Sequence, residues 1–427
     1  MQLGFPLEDR SGELYIDGVS TLELASKFDT PLYVMSEKRI RENYRRLSNA
    51  IARNTSKFRV YYAAKANTNL SVLKILQTEG AYVDVVSPGE AFLALKAGFQ
   101  PEKLMFTGTS VRNDELRFMV DKGILINIDS QSQLQRLLKL AVPETLSVRV
   151  NPELEAGHHS HVITAGRNSK FGVYEEDAVK IYTAAKEAGV RHFGIHMHIG
   201  SGILEIEPFM LALEKLLKTA RAIRERVGIN FEFVDVGGGY GVPYRPEEKL
   251  LDVNLLFDQV VRVFRDKALQ YGFGEPFLCV EPGRYIVCDA GALLTRVNTV
   301  KPTPFKTFIG VDAGFNTLVR PAMYGAYHQV LVANNLDAAI EGEYDVAGPL
   351  CESGDLLARS IPLPKVREGD VLAILNTGAY GYVMSSNYNS RPKAAEVLVN
   401  NGRYALIRQR ENFLGLAEHQ QIAEWLR

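Results

Sequence analysis

FRVYYAAKA, Phe58 to Ala66, is a run of strand-forming residues that closes on a single ammonium group, Lys65. Aromatic and β-branched residues favour the pleated, extended chain, and a short apolar run bounded by polar residues reads as a buried strand. The unit recurs seven times: AYVDVVS (81–87), KLMFTGT (103–109), ILINIDS (124–130), LSVRVNP (146–152), RHFGIHMHIGS (191–201), FEFVDVGGG (231–239) and FLCVEPGR (277–284). Between these runs lie segments such as PGEAFLALKAG (88–98), DELRFMVDKG (114–123), QLQRLLKLA (133–141) and EDAVKIYTAAKEAG (176–189). Their apolar residues fall at i, i+3 and i+4, and most end in glycine, the pattern of helices that bury one face. Eight strand-helix units predict an α/β fold, a (β/α)8 TIM barrel. Polar or glycine-rich residues fall at the C-terminal end of nearly every strand, the face where such barrels build active sites.

After Arg284 the pattern changes to strand, turn, strand: GALLTRVNTVK (291–301), KTFIGVDAG (306–314), GDVLAILNTGAYG (369–381) and AEVLVNNGRYALIRQR (395–410). This predicts a second, mainly β domain. The N-terminal GELYIDGVSTLELASKFDTPLYVMS (12–36) holds two strands and a short helix, so the β domain is expected to be built from both chain termini. The predicted divisions are 1–36 in the β domain, 37–284 as the barrel and 285–427 as the rest of the β domain.

Of 427 residues, 49 are basic and 50 acidic, a balance that argues against a nucleic-acid or membrane-surface partner and for a small-molecule ligand. No apolar run approaches the roughly 20 residues a spanning helix needs. The three cysteines, Cys279, Cys288 and Cys351, and a charged N-terminus where a signal peptide needs an apolar core lead to the expectation of a cytoplasmic protein with reduced thiols.

Four features carry chemistry. An exposed lysine has a pKa of about 10.4 and is a poor nucleophile until burial or charge lowers it, so Lys65 is either a snorkelling side chain or a Schiff-base amine. Gly237, Gly238 and Gly239 each sacrifice roughly 0.5–1 kcal/mol relative to alanine in a regular element. Either a tight turn or close approach of backbone amides to an anion such as phosphate would account for them. His196 and His198 are two apart and share a face of their strand. Metal ligation, a core histidine at His196, and stacking of His198 on an aromatic cofactor with Ser201 on a phosphate are the readings open to them. Glu281 and Arg284 flank Pro282 and Gly283; they either pair with each other or serve a ligand that approaches the backbone closely. Together a reactive lysine, a stacking imidazole, a glycine turn and an isolated carboxylate meet the needs of pyridoxal 5′-phosphate, whose ring accepts the electron pair left on Cα when a bond there breaks.

The motifs YYAAKAN, SKFGV, HMHIGS, GGGYG, EPGR, GPLCESGD and GAYGYVMSSNYN follow in order across almost the whole chain. In them the sequence closely resembles the diaminopimelate decarboxylase family, of the fold-type III pyridoxal-phosphate group that includes ornithine and arginine decarboxylases and alanine racemase. The resemblance implies a homodimer with shared active sites, no metal, and decarboxylation of meso-2,6-diaminopimelate at its D-configured centre to L-lysine. It makes Lys65 the Schiff-base residue and His198 the ring-stacking one. Ser201, Gly237, Gly238, Gly239, Gly283 and Arg284 become phosphate and ring contacts, and Glu281 the partner of the ring nitrogen. Alanine racemase is similar in fold but has an arginine at that place, which weakens the electron sink. Cys351 matches the proton donor to Cα and Glu352 its neighbour on the loop given by the partner subunit. Tyr380 matches a residue that reaches phosphate and substrate, and Arg284, Arg320 and Tyr324 match substrate-binding positions. A guanidinium can hold the distal carboxylate bidentately, which leaves Glu352 for the distal amine. Cys279 and Cys288, among strand hydrophobics, read as packing.

Three alternatives compete: a decarboxylase of ornithine, arginine or lysine on the same scaffold, against which Arg320 argues; a non-catalytic cofactor-binding or regulatory relative, which should lack Lys65 or Cys351, both present; and an aldolase using Lys65 without cofactor. His158, His159 and His161 lie near the expected substrate loop, where TAGRNSKFGV (164–173) also resembles the family's version, and no specific role follows for the three histidines.

Overall fold

The computed structural model describes residues 4–153 and 169–426; His158, His159, His161 and the first half of TAGRNSKFGV, residues 164–168, lie outside them. The chain forms two compact units: Ile40–Pro243 with Glu247–Ile286, and Met1–Arg39 with Tyr244–Pro246 and Val287–Arg427. The inclusion of Tyr244–Pro246 in the second unit was not legible in the sequence.

In the first unit the eight runs form eight parallel strands: β1 (Phe58–Ala63), β2 (Tyr82–Val85), β3 (Leu104–Phe106), β4 (Leu125–Ile128), β5 (Thr145–Arg149), β6 (His192–His196), β7 (Phe233–Asp235) and β8 (Phe277–Val280). Each pairs with the next, and Val280 of β8 lies opposite Val60 of β1, which closes the barrel. Long helices follow β1 to β7, whereas β8 runs into a single four-residue helix, Arg284–Val287. Local sequence sets the helix ends. Ser87 Oγ caps Pro88–Lys96 by accepting from Glu90 N at 3.2 Å, and Glu90 Oε2 reaches back to accept from Val86 N, just before the cap, at 2.9 Å. Glycines at φ near +70° stop others, among them Gly123 and Gly272.

Alternate residues point inward and fill the barrel in tiers. Tyr61, Met105, Phe233 and Cys279 form an apolar plug. A Cβ on Gly194 would lie 2.0 Å from the Phe233 ring, so the bare backbone of β6 makes room for that aromatic. Above the plug the inward positions turn polar: Asp84, Arg149, His196, Asp235 and Glu281 are all buried at or beside the C-terminal strand ends.

The second unit carries a nine-stranded sheet in which Leu32–Ser36 lies between Gly291–Pro302, antiparallel, and Ala395–Asn400, parallel. The N-terminal strand therefore completes a sheet of C-terminal strands, as the sequence predicted. Leu32 and Val34 enter one buried cluster and Tyr33 another. Burial of both faces explains why this strand is a continuous apolar run with no polar alternation.

Candidate active site

Lys65 follows β1 in the short 3₁₀ turn Ala64–Ala66, which aims its side chain across the strand ends. Its Nζ donates to Asp84 Oδ2 at 3.1 Å, so the amine is anchored on a carboxylate that is 0% exposed. Burial, then the charge of Glu281, push Asp84 above the usual carboxylate range, with Lys65 pulling it back. Glu90, in the first turn of the helix after β2, is pushed up to about 7, first by burial and against the pull of the Val86 amide and Lys65.

His196 and His198 do not converge on one point. His196 closes β6, and its Nε2 lies 3.1 Å from Glu281 Oε1 with both side chains buried. His198 Nδ1 accepts from Gly238 N at 3.1 Å, which leaves Nε2 to carry the hydrogen of a neutral ring. Burial, with Lys65 and Arg149 nearby, holds His198 well below the ordinary histidine range. An uncharged, flat, half-buried imidazole results.

Glu281 follows β8. Burial works against its charge, but His196, Lys65 and His198 outweigh it and draw the carboxyl down to about 2. Asp235, which closes β7, goes the other way: burial first and the Glu281 charge second push it well above its ordinary value. One carboxylate in this crowded tier is thus held ionised at the expense of its neighbours, the separation that arises when like charges share a site. Arg284 directs Nε and Nη2 at Ser201 Oγ, each at 3.2 Å.

The glycine run is first a packing device. A Cβ on Gly237 would lie 2.3 Å from Met197 O, and one on Gly238 2.1 Å from Glu281 O, so the loops after β6, β7 and β8 meet backbone to backbone. Gly237 N donates to Asp235 Oδ1 at 2.8 Å and Gly238 N to His198 Nδ1, which commits both amides inside the protein. Gly283 sits against the Cβ atoms of Ala63 and Ala66, where its own Cβ would lie 3.1 Å from each. It seats the loop after β8 on the turn that carries Lys65.

The remaining sequence-predicted residues belong to the second unit. Arg320 is 5% exposed, its guanidinium 5.4 Å from the ring of Tyr244 and 5.9 Å from that of Tyr324. Its Nε has no hydrogen-bond partner among the described residues. Tyr380 holds φ at +56°, a conformation that side chains other than glycine adopt under local strain. Cys351 and Glu352 are exposed, on a loop fixed by Asp355, whose carboxylate accepts from Leu350 N at 2.8 Å and Phe315 N at 2.6 Å. Cys279 and Cys288 are buried. Asp84, Glu90, Arg149, Asp235 and Tyr244 were missed in the sequence. Aspartate and glutamate beside strand ends could have flagged the carboxylates, but nothing local marked Tyr244.

An amine on a buried carboxylate, a neutral imidazole and an ionised buried glutamate at the strand ends of a barrel define a site for a carbonyl cofactor that drains electrons toward a ring nitrogen. Residues 37–288 match the family model "Pyridoxal-dependent decarboxylase, pyridoxal binding domain". The chain is 55% identical to diaminopimelate decarboxylase of Methanothermobacter thermautotrophicus, over 96% of each chain. It is 41% identical to the Archaeoglobus fulgidus enzyme of the same name, over 97% of this chain and 98% of that one. The crystal structure of diaminopimelate decarboxylase from M. jannaschii in complex with L-lysine superimposes with a TM-score of 0.91 at 35% identity, covering 99% of each chain. The chain belongs to the diaminopimelate decarboxylase family of pyridoxal-dependent decarboxylases.

Proposed function

We propose that this chain decarboxylates meso-2,6-diaminopimelate to L-lysine with pyridoxal 5′-phosphate as cofactor, the closing step of lysine biosynthesis. The observation that carries the reading is Glu281, a buried carboxylate held at about 2 in a family of pyridoxal-dependent decarboxylases. The donor set fits the cofactor. Glu281 is a buried carboxylate at the strand ends whose Oε1 faces His196 Nε2 at 3.1 Å, Lys65 offers an amine, and His198 offers a neutral ring face. When bound, pyridoxal phosphate supplies a ring that accepts the electron pair released as the carboxylate leaves Cα.

The chain's own residues do the rest. Lys65 Nζ is the covalent attachment point, steadied by Asp84. Glu281 keeps the ring nitrogen protonated by its charge, and His198 packs on the ring. Ser201, Gly239, Gly283, Arg284 and Tyr380 are the phosphate and orientation contacts, while Gly237 and Gly238, whose amides are committed to Asp235 and His198, hold the turn close. Arg320, buried with an unpartnered Nε beside Tyr244 and Tyr324, takes the distal carboxylate of the substrate. Cys351 gives its thiol proton to Cα, and Glu352 takes the distal amine. Both are exposed on a braced loop, which supports a homodimer in which each subunit lends that loop to its partner's site. The division at 1–36, 37–284 and 285–427 and a cytoplasmic location complete the reading. Carbon dioxide release from meso-diaminopimelate, compared with ornithine, arginine and L-lysine, with and without added pyridoxal phosphate, is the test. Release only from a substrate lacking the second carboxylate would end it.

A further inference from the structure

Three buried polar side chains under the strand-end face are placed with more care than the roles above require. His196 closes β6, Asp235 closes β7 in register beside it, and Glu281 follows β8 on the next strand. His196 and Asp235 are 0% exposed and Glu281 is 4% exposed. Ligating atoms of all three lie within 4.8 Å of one another. His196 Nε2 is 3.1 Å from Glu281 Oε1, an ion-pair distance, yet the ring is not aligned for a full hydrogen bond. Both imidazole nitrogens, Asp235 Oδ2 and Glu281 Oε1 have no hydrogen-bond partner among the described residues. A buried polar group left in that condition costs free energy, and a leucine would fill the same barrel position without that penalty. Catalytic contacts, however, are often loosely aligned before the ligand arrives and tighten afterwards.

We propose that His196 is a positioning residue for Glu281: its Nε2–H holds Oε1, and Asp235 beside it fixes the imidazole, so that the carboxylate keeps one orientation and its charge toward the cofactor's ring nitrogen. The inference rests on the pyridoxal phosphate reading and deepens it. Asp235 is itself anchored from the loop side, by Gly237 N at 2.8 Å, which gives the set a fixed end. Without His196, Glu281 would face two other carboxyls, Asp84 and Asp235, with Lys65 and His198 as its remaining supports. Groups that orient the ligands of a metal in this way carry roughly a 10–100-fold effect on what the site binds, and the same order is expected where the oriented group is a carboxylate.

The test compares two ligands. Apoprotein is titrated with pyridoxal phosphate and with its 1-deaza analogue, in which a C–H replaces the ring nitrogen, and the equilibrium dissociation constants are measured. In His196→Leu, pyridoxal phosphate binding is expected to weaken roughly 10–100-fold while the deaza analogue is little affected. His196→Gln, which keeps an N–H donor, is expected to recover most of the loss. On a Glu281→Gln background the His196→Leu loss should vanish, as a double-mutant cycle requires when one residue acts through the other. If His196→Leu does not fold by circular dichroism, His196→Asn, too short to hold Oε1, must give the same ligand-selective loss. Equal loss for both ligands would overturn the inference and leave the cofactor reading standing. A stoichiometric metal ion whose removal by chelator reproduces the loss would also overturn it, by giving the three residues another purpose. Wild-type protein that bound neither compound would sink the cofactor reading, and this inference with it.

Discussion

Replacing Glu90 by glutamine should stabilise the cofactor-free protein, and more so as the pH rises. The folded structure pushes the Glu90 carboxyl up to about 7 from its ordinary 4.5, first by burial, against the pull of the Val86 amide and Lys65 and with a smaller push from Asp84. Below pH 4.5 the group is protonated in both folded and unfolded chains and contributes no pH dependence. Between 4.5 and about 7 the unfolded chain ionises while the folded one does not, so stability falls with rising pH. At about 1.4 kcal/mol per pKa unit, the wild-type penalty is roughly 1 kcal/mol at pH 5 and roughly 3 kcal/mol above pH 8. Glutamine cannot ionise, and its side-chain oxygen can still accept from Val86 N, the 2.9 Å bond just before the cap. The glutamine protein should therefore be more stable by roughly 1 kcal/mol at pH 5 and by roughly 3 kcal/mol at pH 8.5. Urea unfolding should be followed by far-UV circular dichroism, because the single tryptophan, Trp425, is 86% exposed near the C-terminus and reports nothing of the barrel. A stability difference that did not change with pH, or that favoured the wild type at high pH, would refute the reasoning.

Lys65→Ala should abolish decarboxylation, and borohydride should fix the yellow chromophore onto the wild-type peptide containing residue 65 but onto no peptide of the variant, as read by mass spectrometry. Arg320→Lys should raise KM for meso-diaminopimelate by roughly 10–100-fold with a smaller change in kcat, since a point-charge ammonium cannot reproduce a bidentate fork; steady-state kinetics that moved kcat alone would count against the assignment. Phe233→Ala should destabilise the barrel by about 3–5 kcal/mol through loss of the ring that fills the space left by Gly194, measured by the same urea titration.

The barrel was legible because its signal is local and repeated. Each strand from FRVYYAAKA to FLCVEPGR announces itself by an apolar run with a polar or glycine-rich close, and each helix by its own periodicity and caps. Lys65, His198, Ser201, Glu281 and Arg284 could be named for the same reason, since a strand's C-terminal end is visible in one dimension. The pairing of Leu32–Ser36 with strands more than two hundred residues away was also foreseeable, because an apolar run before the barrel had to be buried somewhere.

Charge and partnership are another matter, because they depend on side chains from different strands and on how much water is excluded. The sequence determines that Glu281 and Asp235 are both carboxylates at strand ends. Only the tertiary structure decides that His196 stands against the first, while burial and the charge of Glu281 outweigh the Gly237 amide at the second, so that one is drawn down and the other pushed up. The glycine run makes the same point. Its residues could be read in one dimension as an anion cradle or a turn, whereas in three dimensions they allow the backbones of three loops to meet with no room for a Cβ. A motif fixes which atoms are available; burial and the neighbours brought in by the barrel's closure determine which of them carry charge and which merely pack.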